Sequence, residues 1–242
     1  MNDDLRNLVL GVIAAGISAA VGWFARTYLW RRTLRRKQRF FGLPANSECM
    51  LVINQAAGTT YWSVARRDVF ALLELSALIK DCEAKARIVL HDAAQQGFGD
   101  RTEFCIGGPV SNQRMAAHLE ALLPGIRVNT DQERGPDQGA FEVGGETYRS
   151  EPGKTEYVIV ARLTAGQEAR PVFLASGQNA IANQAAVRYL TRNHPRLYRK
   201  YGEGSFCLLL KVINSDSYGP DVAELVTDIT RAATSPAPAT AG

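Results

Sequence analysis

The stretch FCIGGPVSNQRMAAHLEALL, residues 104–123, decides the fold. An apolar run, Phe104, Cys105 and Ile106, breaks at Gly107-Gly108-Pro109 and resumes with the three-and-four spacing of an amphipathic helix. This pattern is a strand entering a helix through a tight turn, with Ser111 or Asn112 available to cap the helix start. The first N–H groups of a helix have no intrahelical acceptor, so such a turn suits a ligand that is anionic or rich in acceptors.

The same grammar recurs downstream, where the apolar run 171–175 meets Ser176-Gly177-Gln178-Asn179 and a second helix opens toward His194-Pro195. Pro195 is expected to end or kink that helix. Upstream, MLVIN at 50–54 reads as a fully buried strand, Asp68 can cap a helix over 69–84, and RIVLH at 87–91 is a second strand. Strand, helix and strand in so short a span imply a parallel crossover. Beyond the stop signal Pro124-Gly125 come a short strand at 126–129 and a hairpin, 140–143 and 146–150, turning at Gly144-Gly145. The runs 156–163 and 171–175 are too close for a crossover helix and should pair antiparallel. FCLLLKVI at 206–213 is long and apolar enough to be central, and a helix is expected over 220–233 with Pro220 in its first turn. The expectation is an α/β chain: a Rossmann-like three-layer domain at 45–233 with a mixed, partly parallel sheet, and a Pro- and Ala-rich disordered tail at 234–242.

With 242 residues, 46% of them apolar, the chain can build one good-sized core plus an appendage. The net charge is +4, yet Arg31, Arg32, Arg35, Arg36, Lys37 and Arg39 alone carry six positive charges, so everything else sums to −2. The domain therefore lacks the basic footprint of a nucleic-acid-binding protein, and no nucleic-acid partner is expected. Cys49, Cys82, Cys105 and Cys207 are far apart, with no Cys-x-x-Cys pair and no His at ligand spacing. This excludes a locally encoded zinc site or disulfide framework and points to reduced, buried thiols.

Residues 8–25 (LVLGVIAAGISAAVGWFA) carry no charge, and Trp23, Tyr28 and Trp30 suit a headgroup zone. A signal peptide would begin with basic residues, whereas Asp3 and Asp4 precede this run and the cationic cluster follows it. A transmembrane anchor at 1–30 and a basic juxtamembrane linker at 31–44 are the expectation. Lys and Arg are retained on the cytoplasmic side, so the domain should be cytoplasmic at the cell membrane, with the 31–39 cluster against anionic headgroups. Gly11, Ala15, Ser18 or Ala19, and Gly22 form a small-residue stripe that permits a homodimer, though an Ala/Gly-rich anchor yields the same stripe by composition.

Ligands of open α/β sheets sit outside the carboxyl ends of parallel strands. The residues there are Asn54 and Gln55, Asp92, 107–112, 176–179 and 214–216, a polar rim with few charges, of which Asn54, Gly107, Gly108, Ser111, Asn112, Ser176, Gly177, Asn179 and Asn214 are the expected ligand-binding residues. Such a rim suits a nucleotide-like or other polar metabolite. Gly107-Gly108-Pro109 lacks the third glycine of a dinucleotide fingerprint, and no Walker sequence exists, so no cofactor is named. Asp92, Asp100 and Asp216 are acid/base candidates because strand ends and glycine loops present them, but none has a second partner at fixed spacing. His91, His118 and His194 read as structural or exposed residues.

The strings FFGLPANSEC, GDRTEFCIGGPVSN and FCLLLKVINSDSYGPDV resemble an uncharacterised bacterial family of single-pass membrane proteins with a cytosolic α/β domain. The resemblance covers nearly the whole chain after the anchor. It implies this architecture and carries no catalytic assignment. Three functions remain open: a membrane-tethered sensor or regulatory module that binds a polar metabolite, a hydrolase or transferase acting on such a ligand, and a membrane scaffold whose turns serve packing only.

Overall fold

A computed structural model describes residues 3–54, 64, 66–93, 97–131, 135, 137–166 and 169–236, with side chains from residue 7 onward. The expected tail residues 237–242 and the candidate Gln55 lie outside the described residues.

Helix α1 (Asp3–Phe41) runs without a break for 39 residues. Its apolar first half is long enough to cross a membrane, and none of that window is buried against the rest of the chain. It is not a core helix. The expected linker at 31–44 is instead mostly the last turns of α1, because nothing between Arg31 and Phe41 breaks a helix and the end is clamped. Phe40 and Phe41 are fully buried among Phe104, Phe173 and Phe206, Lys37 pairs with Asp81 at 3.0 Å, and the Gln38 amide donates to Cys82 O at 2.9 Å.

The domain is built on β1 (Glu48–Ile53), α2 (Arg66–Asp81), β2 (Lys85–Leu90), β3 (Glu103–Ile106), α3 (Gln113–Leu122), β4 (Ile126–Val128), β5 (Phe141–Val143), β6 (Glu146–Tyr148), β7 (Thr155–Leu163), β8 (Val172–Gly177), α4 (Ala180–Tyr201), β9 (Phe206–Ile213), α5 (Ser215–Tyr218), β10 (Ala223–Asp228) and α6 (Thr230–Thr234). Seven strands form one sheet in the order β10-β9-β7-β8-β3-β1-β2. Strands β2, β1, β3 and β8 are mutually parallel, and β7, β9 and β10 continue antiparallel, so the mixed, partly parallel α/β sheet is present. Strands β4, β5 and β6 form a separate antiparallel sheet that includes the expected hairpin.

The central strands alternate between two cores because successive side chains point to opposite faces. Leu51, Phe104 and Phe173 meet α2, α4 and the end of α1 on one face. Val52, Cys105 and Leu174 meet α3, α6 and the small sheet on the other. Phe104 stacks on Phe173 with centroids 4.9 Å apart, which the parallel register of β3 and β8 dictates. All four cysteines are free and buried, as small hydrophobes.

Two elements differ from expectation for local reasons. Helix α4 does not end at Pro195 but passes through it. The carbonyl that proline leaves without a donor is Thr191 O, and His194 Nδ1 lies 2.8 Å from it. Over 220–233 the chain is not one helix: Val226 and Thr227 are β-branched, and the free edge of β9 offers a ladder that β10 takes.

Candidate functional site

The helix after β1 packs on one face of the sheet and the helix after β3 packs on the other, although β1 and β3 are neighbours. A crevice must open between their carboxyl ends. It is a cleft of about 300 Å³ lined by Asn54, Asp68, Gly108 to Ser111, Val128, Gly139, Phe141, Gly177 to Ala180, and Asn183. Both glycine-containing turns therefore face one cleft.

Each turn is held by an asparagine whose two ends are used structurally. Asn112 Oδ1 accepts from Met115 N and its Nδ2 donates to Ile106 O, both at 2.9 Å. Asn179 Oδ1 accepts from Ala182 N at 2.8 Å, while its Nδ2 donates to Glu156 Oε1 at 3.1 Å. With the caps so occupied, what the turns present to the cleft is main chain.

Gly107 has φ of +117°, and a Cβ there would stand 2.9 Å from Asn54 Oδ1. The first turn thus requires glycine because the backbone conformation and the approach of β1 both demand it. Gly108 is different: a Cβ there meets nothing nearer than Gly177 O at 3.6 Å, since it faces the cleft. Gly177 donates its N–H to Asn183 Oδ1 at 2.8 Å, and a Cβ on it would press on Ala182 and Asn183.

Asn54 Nδ2 donates to Ser111 Oγ at 3.3 Å, tying β1 to the α3 turn. Asn54 Oδ1 is buried and finds no donor among the described residues. Ser176 is fully buried beside the cleft, not in its lining, and its hydroxyl is likewise without a partner. Asn214 is exposed at the end of β9, its N–H donating to Lys154 O at 2.7 Å, and does not line the cleft. It remains connected through its neighbour, since Ser215 Oγ donates to Glu156 Oε1 at 2.7 Å and that oxygen also holds Asn179.

None of the three acid/base candidates reaches the cleft. Asp92 is exposed in the turn after β2, and Asp216 is exposed in α5. Asp100 accepts from Gly97 N at 3.0 Å at the opposite end of the sheet, near Glu48 and Arg101. No metal-binding group of three His, Cys, Asp or Glu side chains occurs among the described residues.

Asp68, Asn183 and Glu156 were not singled out as site residues by sequence, and Gln178 was placed there only as part of the 176–179 turn. Asp68, 1% exposed, is the cleft's ionisable side chain. Burial pushes its carboxyl above the ordinary value, against hydrogen bonds from the Asn183 and Asn54 amides. Asn183 lies one turn into α4, where only the fold reveals that it bridges Asp68 and Gly177. Gln178 Oε1 accepts from Tyr157 N at 2.8 Å while its Nε2 donates to Gly139 O and Tyr148 O, which fixes the small sheet as the cleft's far wall. Glu156 joins the caps as described.

Outside the cleft, Glu103 is a fully buried carboxylate under α3. Arg114 grips it with two bonds, at 3.1 and 2.8 Å, and His118 Nε2 lies 2.8 Å from Oε1. Burial would raise its pKa, but hydrogen bonds and charge from His118 and Arg114 more than offset that and hold it at about 2. His118 is thus structural.

No protein-family model matches the chain, and a search of curated proteins finds no match either.

Proposed function

We propose that this chain is a membrane-anchored cytoplasmic sensor or regulatory module whose cleft binds a nucleotide-like or other polar metabolite. The observation that carries the reading is the convergence of the two glycine turns, with the first residue of α4, on one cleft. The lining gives the ligand class more definition. Its only ionisable side chain among the described residues is Asp68, so a phosphate there would be held by main-chain N–H groups and helix dipoles, with no Lys or Arg to assist. Asp68, Asn54, Asn183 and Ser111 suit sugar hydroxyls, and Phe141 with Val128 supplies an apolar wall for a base. A Rossmann-like relationship fits the change of helix face between β1 and β3.

The anchor is supported by an apolar, uncovered α1, and the cytoplasmic orientation by the cations of 31–39. The resemblance to single-pass membrane proteins with a cytosolic α/β domain belongs to the same reading. Thermal unfolding of the full chain in neutral detergent micelles with a panel of nucleosides, nucleotides and sugar phosphates tests the cleft. A rise in Tm with at least one of them, abolished by Asn183→Leu, is expected. No shift across the panel would sink the ligand reading.

A further inference from the structure

A second cavity lies at the other end of the sheet. It has a volume of about 1010 Å³ and sits between the last turns of α1, the connection from β7 to β8, and the turn from α4 to β9. Strand β8 leads from one site to the other, so its six residues set them on the order of 20 Å apart.

Four guanidinium groups line this cavity: Arg35 and Arg39 from α1, Arg162 from the end of β7, and Arg170 before β8. Among the described residues one carboxylate, Glu203, is present. No ion pair joins any of the four to a described residue. Arg162 is the informative one. It is only 3% exposed, its hydrogen bonds go to main-chain carbonyls, Phe40 O at 3.0 Å, Gly204 O at 2.9 Å, and Glu203 O, and its guanidinium lies 5.9 Å from the centroid of the Phe173 ring. A buried cation satisfied by dipoles, with three further arginines converging from separate parts of the chain, repels itself until an anion enters. Arginine's planar fork suits an oxyanion with several oxygens.

We infer that this cavity is a phosphate-binding site, distinct from the cleft. It stands whether or not the cleft takes a metabolite. Its anion is a phosphate group carried either by a membrane lipid or by a soluble compound. Arg35 follows Trp30, the last of the aromatic residues suited to the headgroup zone, by five residues, or about 7.5 Å of helix. That spacing brings the cavity within reach of a lipid headgroup.

The test uses the full chain in neutral detergent micelles. Titration calorimetry with inorganic pyrophosphate gives the soluble arm, and micelles doped with phosphatidic acid or, as control, phosphatidylcholine give the lipid arm. Two variants each remove three cations: Arg35→Gln/Arg39→Gln/Arg170→Gln in the cavity, and Arg31→Gln/Arg32→Gln/Arg36→Gln on the tether. The cavity variant should weaken phosphate binding by about tenfold or more and the tether variant by less than about threefold, because only the first dismantles a converging site. All six positions are exposed or outside the core, so both variants should keep the parent Tm. Pyrophosphate binding without lipid identifies a soluble anion as the occupant, and binding of phosphatidic acid alone identifies a headgroup. Equal losses in the two variants would mean a general surface potential, and absence of binding in both arms would mean no site; either overturns the inference.

Discussion

Asn183 Oδ1 accepts from Gly177 N at 2.8 Å while its Nδ2 lies 3.4 Å from Asp68 Oδ1, so one amide on α4 holds both the glycine turn of β8 and the first turn of α2. The cleft's geometry depends on this one side chain being able to accept and donate at once.

Replacing Asp68 by Asn tests the electrostatics of that link. Burial raises the folded-state pKa of Asp68, so the folded protein binds its proton more tightly than the unfolded chain does. Its contribution to stability therefore falls as pH rises above the ordinary carboxylate range. Asp68→Asn should remove this decline and stabilise the protein at pH 7 by on the order of 1 kcal/mol. Urea unfolding at pH 4 and pH 7 measures it; an unchanged pH dependence would mean that the carboxyl is not strained by burial.

Glu103 has the opposite sign. Its pKa is lowered to about 2 in the fold, so the stability it contributes is complete above the unfolded value near 4.5 and is lost as pH falls toward 2. Glu103→Gln should cost about 3 kcal/mol at pH 7, because Arg114 and His118 lose a buried partner, and should flatten the acid limb of the stability curve. Acid titration of the far-UV circular dichroism of both proteins decides this.

The two adjacent glycines of the first turn should separate folding from binding. Gly107→Ala combines a positive φ with a clash at Asn54 and should cost about 1–3 kcal/mol. Gly108→Ala has room and should leave Tm within about 1 °C of the parent, while its methyl group enters the cleft and weakens any ligand found in the panel screen. If both variants lose the same stability, the cleft face of Gly108 is packed and not open.

The thiols give a simple check of the core. Burial raises Cys49 to about 12 and Cys82 to about 11, and pushes Cys105 and Cys207 up as well. A thiol reagent at pH 8 should label none of the four in the native protein and all four in guanidinium. Rapid labelling without denaturant would contradict the packing of both cores.

The strand ends and their glycine turns were legible in the sequence because a strand, a turn and a helix leave three consecutive local signatures. Asn112 and Asn179 were readable as caps for the same reason. What was not legible was set at long range. Asp68 and Asn183 meet across 115 residues, and Arg162 meets Phe40 across 122, distances over which no pattern in the chain carries information. That the helix does not end at Pro195 was not legible because the contact of His194 with Thr191 O depends on a histidine rotamer. The cationic run at 31–39 resembled a linker because charge conceals helix periodicity, and only Phe40 and Phe41 at its end reveal that it enters the core.

That continuous helix makes α1 a lever. On the proposed membrane-anchored reading, a flexible tether would let the domain turn freely beneath the bilayer, whereas a rod whose last two aromatic residues are sealed in the core would turn the domain with it. Each residue inserted between positions 26 and 34 would swing both cavities about the rod by about 100° and push them about 1.5 Å along it. The direction in which the cleft faces is thus written into the length of α1.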